Sequence, residues 1–238
     1  MLRTFVMLSE PKTFRMKPFR FFTRYWAAIG GVLFVGLAFV VGIWGPQIPT
    51  LQRFMILFYM ALLFHQFEEY VFPGGFPAAA NKGLFGEKDQ LNVYPLNEMS
   101  ATTVNVFCAY TLYIIGIFCY KWIWYDIFIA YFTMAQLPVH CIKMNKALKS
   151  WYCPGCFSAL FVMAPLGIYF LVQLTALETF PSYYWWAPIC AFPVVAFSTI
   201  LLPILSFKRK DTPYAFAKFQ DEEFDVRHGI ASLFRKHK

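Results

Sequence analysis

The chain has 238 residues, of which 59% are apolar and only 14% charged, against roughly 25% charged in an ordinary soluble domain. That composition excludes a soluble globular enzyme and fits an all-α integral membrane bundle of about six spanning helices, each of roughly 20 residues. The net charge of +8 belongs to cations that flank apolar runs and form no groove or finger pattern, so the expected partner is the bilayer with its anionic head groups, and no nucleic acid.

In chain order, residues 1–25 read as a basic N-terminal arm, residues 26–206 as the transmembrane domain and residues 207–238 as a charged tail. The first apolar run, Trp26 to Gly45, is too long for the core of a secretory signal and has no small-x-small cleavage site behind it, so it is expected to stay as an anchor. The second, Leu51 to Phe72, carries His65, Glu68 and Glu69 near its end. The connection from Pro73 to Ala101 is the one long loop, rich in Gly and Pro and expected to be irregular; Gly74 and Gly75 predict a bend that folds it over the neighbouring polar residues as a lid. The third and fourth runs are Thr102 to Tyr120, with Asn105, and Trp122 to His140, with Asp126. Asp126 lies near Lys121 and reads as half of an interfacial ion pair. Cys153-Pro154-Gly155-Cys156 reads as a turn into the fifth run, Phe157 to Leu177, with its thiols incidental; the sixth run is Trp186 to Ser206. The six cysteines fall mostly inside apolar runs, where they act as small hydrophobes. Trp26, Trp44, Trp122, Trp124, Trp185 and Trp186 mark expected membrane interfaces. Phe216, Phe219 and Phe224 give the tail a weak amphipathic character, around an acidic group from Asp221 to Asp225, while His228 and His237 read as solvated.

Of the 21 Lys and Arg residues, 19 fall at the two ends and in the second and fourth loops. The positive-inside rule then places both termini in the cytoplasm, as an even number of spans requires, and the protein in a plasma (inner) membrane.

Ionisable side chains within spans are costly and mark function by default. His65, Glu68 and Glu69 stand at i, i+3 and i+4, on one helical face. Two adjacent carboxylates in such a place repel, so one takes up a proton or a cation neutralises the pair; a divalent metal satisfies imidazole and carboxylate together. The second span ends, the third begins and the fourth ends on the same side, so His65 to Glu69, Asn105 and His140 share one depth.

These residues resemble the HXXEE-domain family of multi-pass membrane proteins. The likeness rests on His65-Gln66-Phe67-Glu68-Glu69 followed by Tyr70-Val71-Phe72-Pro73-Gly74-Gly75-Phe76-Pro77. It continues through Asn105, His140, Tyr152-Cys153-Pro154-Gly155 and Pro165-Leu166-Gly167-Ile168-Tyr169, covering about residues 50–205. The resemblance implies metal or catalytic positions at His65, Glu68, Glu69, Asn105 and His140.

The expected function is a metal-dependent hydrolase or isomerase acting on a small hydrophobic or lipid-like substrate. Zn or Fe(II) is held by His65, Glu68 or Glu69, and His140. The remaining carboxylate, with Glu69 as the candidate, serves as general base, and Asn105 orients water or substrate. The alternative is a non-catalytic accessory subunit of a larger membrane complex, its polar cluster structural and its partner subunits met through the arm and the tail.

Overall fold

The computed structural model describes residues 17–177 and 180–217. The readings made for residues 1–16 of the arm, and for Phe219, Phe224, the acidic group from Asp221 to Asp225, His228 and His237, lie outside the described residues. Among the described residues there is no strand, and the chain runs through seven helices. We number them α1 (Pro18–Gln47), α2 (Thr50–Tyr70), α3 (Phe76–Gly83), α4 (Glu98–Phe118), α5 (Ile123–Leu148), α6 (Cys156–Ala176) and α7 (Tyr183–Phe207).

Five of these, α1, α4, α5, α6 and α7, are long and apolar enough to cross a membrane. The sixth expected span, α2, has the length, 21 residues, but Gln52, Arg53, His65, Gln66, Glu68 and Glu69 dilute its apolar character. It can carry them because it is the central helix: fourteen of its 21 residues are buried. Gly30 and Gly31 of α1 bring that helix close, since a Cβ on either would meet Tyr110, Leu63 or Phe67 at contact distances of 2.7–3.3 Å.

Helix α1 begins at Pro18, eight residues before the expected start at Trp26. Pro suits the first helical turn, where an amide hydrogen would have no partner, and Arg20 and Arg24 in the next turns pair with Glu98 of α4 at 3.1 and 3.0 Å. Trp26 is no interfacial residue; it is buried against Tyr70, ring to ring at 4.9 Å. Trp44, Trp122, Trp124 and Trp186 are exposed, as a lipid-facing belt requires.

The long loop is less irregular than its composition suggests. Gly74 and Gly75 adopt φ of 70° and 88°, and this left-handed bend starts α3, whose Ala78, Ala79 and Ala80 are fully packed. Asn81 then pins the remainder: its amide donates to the carbonyls of Leu91 and Leu96, and its oxygen accepts from Leu96 N. Asn97 and Ser100 form a capping box that starts α4 at Glu98 rather than at Thr102. Residues Tyr214 and Phe216 of the tail bond back to Glu98 and Asn92. The start of α1, the end of α2, the long loop, the start of α4 and the tail therefore meet at one end of the bundle.

Each of α4 to α7 contains a π-helical segment: Thr103–Tyr110, Pro138–Met144, Ala159–Met163 and Phe197–Leu201. Such segments are rare and gather at functional sites. Here they lie in the halves of the helices nearest that same end.

Candidate metal centre

His65, Glu69 and His140 are buried, from α2 and the π-helical segment of α5. Glu69 Oε1 lies 3.7 Å from His65 Nε2 and 3.4 Å from His140 Nε2, and one ligand atom from each residue falls within 4.8 Å of the others. Both nitrogen–oxygen separations exceed a normal hydrogen bond. The His140–Glu69 separation equals the spacing of about 3.3–3.4 Å between ligands held about 2.0–2.1 Å from a tetrahedral zinc, and the His65–Glu69 separation is a few tenths of an ångström wider.

Hydrogen-bond partners decide which ring nitrogens carry protons. His140 Nδ1 faces the carbonyl of Pro154 at 2.9 Å and can only donate to it, leaving Nε2 as a lone pair. His65 Nδ1 lies 2.8 Å from Ser158 Oγ. That hydroxyl gives its one proton to Glu68 Oε2, so it accepts from His65 Nδ1, and His65 Nε2 is a lone pair too. Two bare imidazole nitrogens and a carboxylate oxygen thus face one another in a dry place, an arrangement that a cation between them satisfies. The Glu68–Ser158–His65 chain is the kind of outer support that orients a metal-ligating histidine.

Of the two carboxylates expected to offer a ligand, Glu68 is engaged elsewhere. Its oxygens are engaged by Tyr152 Oη at 2.9 Å, Phe157 N at 3.1 Å, Ser158 N at 2.7 Å and the Ser158 hydroxyl. It caps the N-terminus of α6, where free amide groups and the helix dipole favour an anion. The motif is thereby resolved by position: His65 and Glu69, four apart, face the centre, and Glu68 anchors the helix that supports it.

Gly155 explains the turn before α6. Its φ is 94°, and a Cβ there would meet the His140 ring at 2.5 Å and His65 Cε1 at 2.8 Å. Only glycine lets the two rings approach edge to face, 4.8 Å between centroids. Pro154 contributes its carbonyl, so the Pro-Gly pair is part of the centre as well as a turn.

Asn105 lies on the same cavity as His65, Glu69 and His140, but its amide is committed. Its oxygen accepts from Gln66 at 3.0 Å, and its nitrogen donates to the Ala101 carbonyl at 2.9 Å and to Tyr70 Oη at 3.4 Å. It positions the Tyr70 hydroxyl at the cavity. Gln66, Tyr70 and Tyr152 stand in the sequence motifs without an expected role, and Ser158 stands in none; the Ser158 contact depends on where α6 docks, which no local pattern encodes.

The thiols of Cys141 and Cys156 approach to 2.7 Å, and Cys153 donates to the His140 carbonyl at 3.3 Å. All six cysteines are free. Burial pushes the Cys153 thiol well above its ordinary range. Asp126 is not an interfacial ion pair: it is fully buried with neither oxygen partnered, while Lys121 sits over the Tyr120 ring.

The centre opens on a cavity of about 520 Å³ between α2, α4, α5 and α7, lined on the loop side by Phe76 and Leu84 among others. Phe76 stacks on His140 at 5.2 Å, so the bend at Gly74 and Gly75 does bring the loop over the histidine. Replacing both glycines with Val forces a β-branched residue to positive φ. We expect the double variant to expose the segment around α3 to limited proteolysis; a cleavage pattern identical to wild type would contradict this.

Residues 56–170 match the HXXEE family model, described as a protein of unknown function with HXXEE motif. The matched stretch contains His65, Glu68, Glu69, Asn105, His140, Gly155 and Ser158, and is shorter than the resemblance drawn over residues 50–205. No curated protein and no solved structure matches the chain.

Proposed function

Taking residues 56–170 as an HXXEE-family segment, we propose that the protein is a membrane metalloenzyme that hydrolyses or isomerises a small hydrophobic or lipid-like substrate. One observation carries the reading. Three lone-pair donors converge within 4.8 Å of one another beside a cavity, and among the described residues no fourth His, Cys, Asp or Glu joins them. Structural zinc sites are closed by four protein ligands, whereas catalytic ones keep a position open; this favours the enzyme over the accessory subunit with a structural cluster.

His65, Glu69 and His140 hold the cation, zinc or ferrous iron, which supplies Lewis-acid polarisation of a substrate oxygen. Glu69 therefore serves as a ligand, and Glu68, saturated by four donors, is not the general base. Tyr70 Oη, held by Asn105, is the group placed to give or take a proton at the cavity wall. The apolar lining excludes water and strengthens each polar contact within.

Helix α2 is the sixth crossing, since it is joined to α1 by two residues and packs along it, and its length of about 30 Å equals the hydrocarbon thickness. Both ends then lie on one side, the cytoplasmic side of a plasma (inner) membrane, where the Lys and Arg residues gather. The basic arm and the tail remain the surfaces offered to other subunits.

Protein purified without chelators and assayed by elemental analysis should contain about one transition-metal ion per chain. Stripping it should lower the thermal transition, because a ligand bound only by the folded state stabilises that state. Wild type with no metal, and no gain in stability on adding zinc or ferrous iron, would refute the proposal.

A further inference from the structure

The cavity is graded along the bundle. At the end that carries the loops its wall holds His65, Glu69, His140, Asn105 and Lys143. Its other end is apolar: Leu62, Ala109, Phe132 and Phe192. Apolar residues such as Val104, Ile200 and Ile204 line the looped part too, but on each of these helices the lining residue furthest from the looped end is apolar. Leu62 precedes His65 by one turn on a helix that runs toward that end, and Phe132 precedes His140 by two. Ala109 follows Asn105 by one turn on a helix that runs away from it, and Phe192 lies two turns before Thr199. The polarity thus changes in the sense of a lipid leaflet, from membrane face to midplane.

The cavity is also open to the side. His65, Glu69 and His140 are buried behind it, while Gln136 and Val139 of α5 and Ala196 and Thr199 of α7 are half-buried lining residues. Two internal prolines, Pro188 and Pro193, and the π-helical segment interrupt α7. Its first part packs on α5 and its second part on α4, so α5 and α7 diverge toward the looped end. At the rim stands Lys143, exposed, the one cation of the lining and paired with no carboxylate among the described residues.

We infer that the cavity receives a single-chain anionic amphiphile, such as a fatty-acyl carboxylate, sideways from the bilayer between α5 and α7. The chain lies along Leu62, Ala109, Phe132 and Phe192, and the charged head meets Lys143. The volume, about 520 Å³, falls within the range of about 300–1,000 Å³ typical of small-ligand sites. Charge complementarity selects the head, because a lone ammonium beside an apolar opening attracts an anion and repels a cation. Lys143 follows His140 by three residues on α5. If the metal-centre reading holds, on which only this point rests, the reacting group lies within a few bonds of the anionic head.

The test uses the full-length protein in a neutral detergent and a fatty acid carrying a diazirine near its chain end, followed by peptide mapping. Labelling should fall on peptides holding Leu62, Phe132 or Phe192, and free oleate should compete it while methyl oleate should not. Lys143→Glu, a change at an exposed position, should weaken labelling about tenfold; Ala196→Trp, which narrows the opening, should weaken it as well. Labels confined to the outer faces of α1 and α6, equal competition by methyl oleate, or unchanged labelling of Lys143→Glu would overturn the inference. Metal bound stoichiometrically without cavity labelling would refute this inference alone, whereas cavity labelling of a protein that binds no metal would uphold it and refute the metalloenzyme.

Discussion

His140→Ala should abolish stoichiometric metal binding, and so should His65→Ala, although the two residues are 75 positions apart in the chain. In the proposed centre each would supply one of the three ligand atoms that the described residues bring together. Loss of an outer partner of a ligand alone weakens metal affinity by about 10–100-fold, so loss of a ligand itself should exceed that and empty the site during purification. Asp126→Asn is the matched control: it alters a buried ionisable group that contributes no ligand atom to the centre, and it should retain the full metal content. Elemental analysis of the three variants side by side decides the matter. Metal retained in His140→Ala but lost in His65→Ala would mean that the approach of the two rings does not reflect a shared ion.

Gly155→Ala should be the most damaging conservative change in the chain. The backbone strain of a left-handed alanine costs about 1–2 kcal/mol. The added methyl group would also fall 2.5 Å from the His140 ring and 2.8 Å from the His65 ring, distances that force both ligands to shift. Gly86→Ala separates the two effects, because Gly86 has a φ of 71° with open space around it. It should suffer the strain alone, with a small fall in the thermal transition and unchanged metal content. Gly155→Ala should lose the metal as well. Equal metal content in the two variants would show that the Pro-Gly turn serves only the chain reversal.

These two expectations also show what could be read before the structure was known. His65, Glu69, Asn105 and His140 were placed at one depth by span parity alone, and the structure brings all four to one cavity wall. The division of labour between Glu68 and Glu69 was not legible. On a helix, i+3 and i+4 share a face with i, and only the docking of the α6 N-terminus onto Glu68 separates them. Ser158 was invisible for the same reason: its importance comes from a contact made across 93 positions. The loop helix α3 was missed because Pro, Gly and Asn suggest irregularity, yet here they start a helix at Gly75 and tie its far end through Asn81. Asp126 was misread because its neighbour Lys121 suggested a partner; one turn of helix carries the carboxylate inward instead.

The supporting role of Glu68 bears on the metal centre as a whole, since a carboxylate that organises His65 through Ser158 raises the ligand's basicity. Cys141, Cys153 and Cys156 contact one another, nearby carbonyls and the Asn145 amide, and Cys153 Sγ lies 3.7 Å from His140 Nδ1, the ring nitrogen that faces away from the centre.

X-ray absorption spectroscopy at the edge of the bound metal tests the central claim most directly, because it reads ligand type and distance without a known substrate. For zinc, the account predicts a first shell of nitrogen and oxygen only, at about 2.0–2.1 Å, with outer scattering from two imidazole rings that falls away in His65→Ala and His140→Ala. A sulfur shell at about 2.3 Å would instead place the metal on the cysteine cluster beside His140, and would contradict the His65–Glu69–His140 centre.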